Sequence, residues 1–348
     1  MRLLLRSTAV PAALVLALLP GAALAAETPA APGTASGTAS GFTITDPRIK
    51  ESSGLAASRI HPGVYWTHND SDDGPYVYAV DSATGKTVAR LTLTGIGTPR
   101  DVEAISLGPD GQLYLGDIGD NKDGTWDHVW IYRFQEPKEL GDRTVAAEQF
   151  TVAYADGPRN AEALMVHPVT GRVYIASKNE QGGGLYEGPE RLSADGRNVF
   201  RRVAEVPWVT DGAFSPDGTR LTLRGYLTAR TYAWKDGRPE GPGERVDAPW
   251  QGQAESVTYT PDGRTLMFGA EGANSRVVAV PVAPAAAASD PARSPAPRQP
   301  GGAPTGSAGA QGAPAGQDSG SFTKGALVLA AGTALVLAGR RLFRRRKA

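Results

Sequence analysis

Not one cysteine occurs in the 348 residues, and histidine and methionine are scarce, at four and three. The missing thiols exclude disulfide staples, cysteine nucleophiles and thiolate metal sites, so any folded domain must hold together by burial alone. An excess of either charge is missing too. With 36 basic and 36 acidic side chains the formal net charge is +0, which removes the electrostatic case for a nucleic-acid partner. The histidines His61, His68, His128 and His167 show no paired metal spacing.

Charge is instead local. Arg2 and Arg6 precede the apolar run Ala9 to Leu19, which Pro20 ends, and small residues follow at Ala23, Leu24 and Ala25. That order of basic, apolar and small residues predicts a signal peptide over residues 1–26. Near the other end, Gly325 to Gly339 is small and apolar and is followed by Arg340, Arg341, Arg344, Arg345, Arg346 and Lys347. At about 1.5 Å per residue this stretch is shorter than the roughly 30 Å hydrocarbon core. Phe322, Leu342 and Phe343 lengthen it where Lys324 and Arg340 snorkel towards the headgroups, so a membrane helix is expected over 324–343, with a basic cytoplasmic tail over 344–348. By the positive-inside rule the rest of the chain then lies on the extracellular face, a single-pass protein held to the membrane.

Residues 27–41 and 284–323 are dominated by Ala, Thr, Gly, Ser and Pro and carry few large apolar groups. Neither segment can bury a core, so both read as disordered linkers, the second as a stalk. All six tryptophans fall between them, and residues 42–283 are the expected globular part.

Five segments of that part superimpose: Glu51 to His68, Asp101 to Asp117, Asn160 to Ser177, Val209 to Gly225 and Gln253 to Ala270. Each begins with small and acidic residues, runs as an apolar strand, turns at Gly or Pro-Asp-Gly and returns as a second apolar strand. Their starts are 44 to 59 residues apart, the length of a four-stranded propeller blade. The fold expected is therefore all-β, a β-propeller of five four-stranded blades, or six if the long third unit hides another. Third and fourth strands are predicted at Tyr76 to Asp81 and Thr87 to Leu93, and at Val129 to Phe134 and Phe150 to Tyr154. The last unit supplies only three strands, ending at Arg276 to Val282. Phe42 to Thr45 is expected to complete it and close the ring, removing two open sheet edges.

The phrase Phe214-Ser-Pro-Asp-Gly-Thr-Arg-Leu221, with partial copies at Leu107 to Leu113 and Tyr259 to Leu266, resembles the repeat of the periplasmic Tol-system translocation protein and of WD-like bacterial propellers. The acidic starts, Glu51-x-Ser-Gly-Leu55 and Asp101-Val-Glu-Ala-Ile105, are more similar to exported esterase-like and phytase-like propellers. No WD dipeptide stands at the expected strand ends. The resemblance implies the fold, and phytase-like relatives would imply calcium used to bind phosphate. The Ser-Pro-Asp-Gly element itself is a turn, with Pro presetting φ and Gly accepting a positive one.

In a blade the start of the innermost strand and the end of the second share one mouth of the ring. The starts carry Glu51, Asp101, Glu103, Glu162, Asp211 and Glu255; the ends carry His68, Asp70, Asp117, Lys178, Arg224 and Glu271. So many carboxylates at one opening call for a cation, basic neighbours or protons with raised pKa values. Glu103, Glu162 and Glu255 are the candidate catalytic carboxylates of a hydrolase. Glu51, Asp101, Asp211, Lys178, Arg224 and His68 are candidate ligand contacts. Residues 69–74 look like half a calcium loop without its terminal bidentate carboxylate, which leaves Asp70, Asp72 and Asp117 as candidate ligands of a Ca2+ ion. Gly85-Lys86-Thr87 reads as a hairpin turn rather than a phosphate loop, and no Gly-x-Ser-x-Gly elbow occurs in the folded region. The expectation is a monomeric surface module that binds an envelope ligand or protein through an acidic, calcium-loaded mouth, with a phosphoester or glycoside hydrolase as the alternative.

Overall fold

The computed structural model describes residues 39–283, apart from Asp72 and Asp123. The predicted signal peptide, stalk, membrane helix and tail lie outside the described residues. Among the described residues no helix is long and apolar enough to cross a membrane, and every regular element is a strand.

In chain order the strands are β1 (Phe42–Thr43), β2 (Ala56–Ala57), β3 (Val64–Thr67), β4 (Tyr76–Asp81), β5 (Thr87–Thr94), β6 (Val102–Leu107), β7 (Gln112–Asp117), β8 (Val129–Gln135), β9 (Arg143–Ala146), β10 (Glu148–Tyr154) and β11 (Ala161–Val166). There follow β12 (Val173–Ser177), β13 (Gly183–Glu187), β14 (Arg197–Val206), β15 (Asp211–Phe214), β16 (Arg220–Arg224), β17 (Ala229–Lys235), β18 (Arg238–Val246), β19 (Ala254–Tyr259), β20 (Thr265–Ala270) and β21 (Arg276–Pro281).

They form a five-stranded sheet β2-β3-β4-β5-β9, an eight-stranded sheet β11-β12-β13-β14-β10-β8-β7-β6 and the four-stranded sheets β15-β16-β17-β18 and β1-β21-β20-β19. Within these sheets consecutive strands pair antiparallel. Two parallel pairs depart from that pattern, β10 with β14 and β5 with β9. Both join outer strands of successive units, so β9 leaves its own unit to extend the previous one. β1 pairs with β21, Phe42 opposite Val277, and the first strand in the chain completes the last sheet.

The first strands of the units pack in cyclic order: β2 on β6, β6 on β11, β11 on β15, β15 on β19, and β19 back on β2. That closed circuit makes the domain a β-propeller. Burial follows from it. The inner strands β6, β11 and β19 are buried almost throughout, because neighbouring units cover both faces. Outer strands such as β5 and β10 alternate buried and half-buried residues, the period of a sheet packed on one side. Apolar side chains fill the seams between units: Trp66, Leu91, Leu113 and Phe134 in one, Phe150, Leu164, Tyr186 and Phe200 in the next. Leu55, Ile105, Val166, Phe214 and Tyr259 line a cavity of about 60 Å3 at the end away from the acidic starts.

The Pro-Asp-Gly turns face that end. Gly111, Gly218 and Gly263 adopt φ of 73°, 72° and 70°, while Asp110, Asp217 and Asp262 accept the backbone N–H two residues on. These are the structural turns that the sequence indicates.

Candidate functional site

Three glutamates at matching positions build the opposite mouth. Glu103, Glu162 and Glu255 are each the second residue of an inner strand, β6, β11 and β19. In each case the register with the next strand slips at that residue: between Val102 and Ala104, Ala161 and Ala163, and Ala254 and Ser256. Such a bulge leaves one residue unpaired and re-aims its side chain. Val-Glu-Ala, Ala-Glu-Ala and Ala-Glu-Ser are therefore the same device used three times, a polar residue extruded between two small or β-branched ones that stay in the ladder. All three glutamates are buried.

They converge on Lys178. Its ammonium lies 2.7 Å from Glu162 Oε1 and donates to the Tyr226 hydroxyl at 2.9 Å. Burial by itself would lower the Lys178 pKa, but Glu162, Tyr226, Glu255 and Glu103 around it raise it, so the lysine is held charged.

Beside this pair, Asp70, Asp101 and Glu103 bring carboxylate oxygens within 4.8 Å of one another. Two unit charges at that separation repel by about 3.5 kcal/mol at an effective dielectric near 20. Burial, then Asp101, pushes the Asp70 carboxyl up to about 9. Burial and the charges of Glu162, Asp70 and Asp101 push Glu103 well above the usual carboxylate range. Ser53 Oγ donates to Glu103 Oε2 at 3.1 Å and Asn121 Nδ2 to Asp101 Oδ2 at 3.0 Å. Gly119 makes room for the group: a Cβ there would stand 2.6 Å from the Asp101 carboxyl and 2.7 Å from Glu103 Oε1.

A hard cation fits these donors. All are oxygens, and oxygens at 2.3–2.6 Å from a calcium ion are separated by at most about 5 Å, which the 4.8 Å spread satisfies.

Other predicted residues have different work. Asp117 accepts the backbone N–H of Arg100 and Asp101 at 3.0 and 2.9 Å and the Tyr132 hydroxyl at 2.6 Å. It is a buried anchor for the start of β6, not a member of the carboxylate group. Asp211 accepts Val257 N–H at 2.7 Å and so ties β15 to β19. Arg224, fully buried, donates to the carbonyls of Ser256 and Gly269 at 2.6 and 2.7 Å and to Gln251 Oε1 at 2.7 Å. That is a staple between sheets, unavailable to an anionic ligand. His68 is buried, its Nδ1–H donates to the Asn69 carbonyl at 3.1 Å, and desolvation holds its pKa down to about 4, so it is neutral.

In the loop of residues 69–74 other side chains are engaged with protein partners. Asn69 Nδ2 donates to Asp73 Oδ2 at 2.6 Å and to Arg48 O, while its Oδ1 accepts Lys50 and Glu51 N–H. These side chains fasten the loop to residues 48–51 and, through Asp73, to itself. Glu51 is half-buried there, and its carbonyl accepts Asp70 N–H. Asp72 lies outside the described residues. Tyr226 and Asn121 are site neighbours that lie outside the superimposed segments, whereas Ser53 stands at the position that Glu103, Glu162 and Glu255 take in their own units.

No protein-family model and no curated protein matches the chain. Among solved structures it is similar to U3-55K (9% identity, TM-score 0.38, covering 70% of this chain and 98% of that one) and to the RRP9 WD40 repeats (8%, 0.38, 69% and 97%). A nidogen/laminin complex is similar at 17% identity and a TM-score of 0.40, over 65% of this chain and 74% of that one. At such scores the propeller assignment stands on the strand order and the cyclic packing described above.

Proposed function

We propose that the chain is a surface-anchored binding module whose mouth takes up a calcium ion between Asp70, Asp101 and Glu103 and presents it to an envelope ligand. The ring then has five blades, with the eight-stranded sheet as two blades fused through β10 and β14. The likeness of the acidic starts to exported phytase-like and esterase-like propellers supports this, with the predicted signal peptide and membrane helix as the means of export and tethering. One observation supports it above the rest: glutamates extruded at three equivalent bulges meet two aspartates at one opening. A cation relieves the repulsion that otherwise forces protons onto Asp70 and Glu103.

Calorimetric titration of the purified chain with calcium chloride tests this. Saturable heat and a raised melting temperature are expected, both lost in Asp101→Asn. Absence of heat and of any melting shift removes the metal from the proposal.

The raised pKa of Glu103, next to the ion-paired Glu162, also suits a general acid, which keeps a hydrolase as the second reading. Turnover of aryl glycosides or phosphate esters that Glu162→Gln abolishes would favour it over a pure binding role.

A further inference from the structure

In four of the units one backbone N–H closes the mouth end of the first two strands by donating to the residue that opens the unit. Asp70 N–H donates to Glu51 O at 2.9 Å, Gly119 to Asp101 O at 3.1 Å, Lys178 to Asn160 O at 3.0 Å and Glu271 to Gln253 O at 2.8 Å. Each accepting residue stands two before Ser53, Glu103, Glu162 or Glu255. Asp70, Gly119, Lys178 and Glu271 are therefore equivalent positions, and each brings something different to the mouth. The first unit supplies Asp70 to the carboxylate group, and the second supplies a glycine that leaves space for Asp101 and Glu103. The third supplies an ammonium. We infer, on the footing of the calcium uptake proposed above, that Lys178 is a built-in cation that fills the other half of the mouth and confines it to a single metal ion.

The two halves draw on different units. Asp70, Asp101 and Glu103 come from the first and second. Lys178 Nζ lies 2.7 Å from Glu162 Oε1 of its own unit and 2.9 Å from the Tyr226 hydroxyl of the fourth. Glu255 of the fifth unit and Glu103 of the second also favour its charge. The lysine side chain is 11% exposed, so it occupies this space rather than reaching into solvent. Oxygens that could surround a metal at 2.3–2.6 Å are gathered instead about a nitrogen at hydrogen-bond distance. An ammonium suits that place, being a compact point charge with several donors on a flexible stem. Its fixed charge also repels any second cation that enters the mouth.

Calorimetric titration of the full chain with calcium chloride, in wild type, Lys178→Ala and Lys178→Met, tests this role. Alanine removes the charge and opens the space that Nζ fills; methionine removes the charge and keeps the space filled. The expected stoichiometry is one ion in wild type, two in Lys178→Ala and one in Lys178→Met. The ion of Lys178→Met should bind on the order of tenfold more tightly than that of wild type, because a like charge is gone. Melts without calcium show which variants fold, and if Lys178→Ala does not, the affinity of Lys178→Met decides. One ion at wild-type affinity in both variants, or two ions in wild type, overturns the role of Lys178 and leaves calcium uptake standing. Binding by the variants but not by wild type supports that role and removes calcium from the native mouth. No heat from any of the three removes both.

Discussion

Asp70 is a side chain whose proton affinity changes greatly between the unfolded and folded chain. Its carboxyl rises from the ordinary value of 3.8 to about 9, so between those values the folded protein binds a proton that the unfolded chain has released. Stability from that proton is fully present below about pH 4 and is lost as pH rises towards 9. Melting temperature is therefore expected to fall from pH 5 to pH 8 in chelated buffer. Asp70→Asn, which mimics the protonated form, should flatten the slope and stabilise the protein at pH 8 by a few kcal/mol, since a tenfold change in proton affinity is worth about 1.4 kcal/mol. If calcium occupies the mouth, it competes with the proton, so it should raise the wild-type melting temperature more at pH 8 than at pH 5 and leave Asp70→Asn nearly unaffected. Melts across that pH range with and without calcium read all of these at once, and a flat wild-type profile would contradict the buried-acid picture.

Among strands, the question is what holds one sheet to the next, and Arg224 at the end of β16 is a clear instance. Its guanidinium reaches from β16 to carbonyls of β19 and β20. Arg224→Ala should cost about 2–5 kcal/mol in urea denaturation, because two buried carbonyls each lose a charged donor. Arg224→Lys should recover only part of that, since an ammonium cannot reproduce the planar fork. Loss below about 1 kcal/mol, the worth of one ordinary hydrogen bond, would mean that the staple is redundant. Such a role is invisible in the sequence, where Arg224 looks like any basic residue near a carboxylate-rich opening. The strands themselves are legible. Tyr76–Asp81 is predicted to the residue, and the ends of β5, β8, β10 and β21 to within two, because alternation and Gly turns encode them locally. β9 is not. Arg143–Ala146 has no buried residue, so no hydrophobic period announces it, and its pairing with β5 depends on a parallel ladder between units. The glutamates at the bulges are legible as equivalent positions in a repeat; their meeting with Lys178 and Tyr226 depends on ring closure, which local pattern does not encode.

For the molecule as a whole, closure rests on a short N-terminal segment that touches both the first and the last sheet. β1 pairs with β21, and Ile44 N–H donates to Ser275 O at 2.9 Å. Thr45 N–H and Oγ1 donate to Gly85 O at 2.8 and 3.0 Å in the β4–β5 turn. Phe42, Ile44 and Ile49 are buried in the seam between the two sheets. Gly85 has φ of 70°, and a Cβ there would stand 1.9 Å from Thr43 O. Gly85→Ala thus combines left-handed strain with expulsion of the latch. Gly241, at φ of 68° with nothing within 4 Å of a Cβ, isolates the strain. The expected cost of Gly241→Ala is about 1 kcal/mol. Gly85→Ala should cost roughly 2 kcal/mol more and speed amide exchange along β21 and β4 together, as should Phe42→Ala at about 3–5 kcal/mol. Because the first and last sheets part when the latch fails, the carboxylate mouth should loosen in the same variants, and calcium binding, if present, should weaken with them. Equal costs for the two glycine substitutions, with exchange in β21 unchanged, would show that the ring is held shut by its seams and not by residues 42–49.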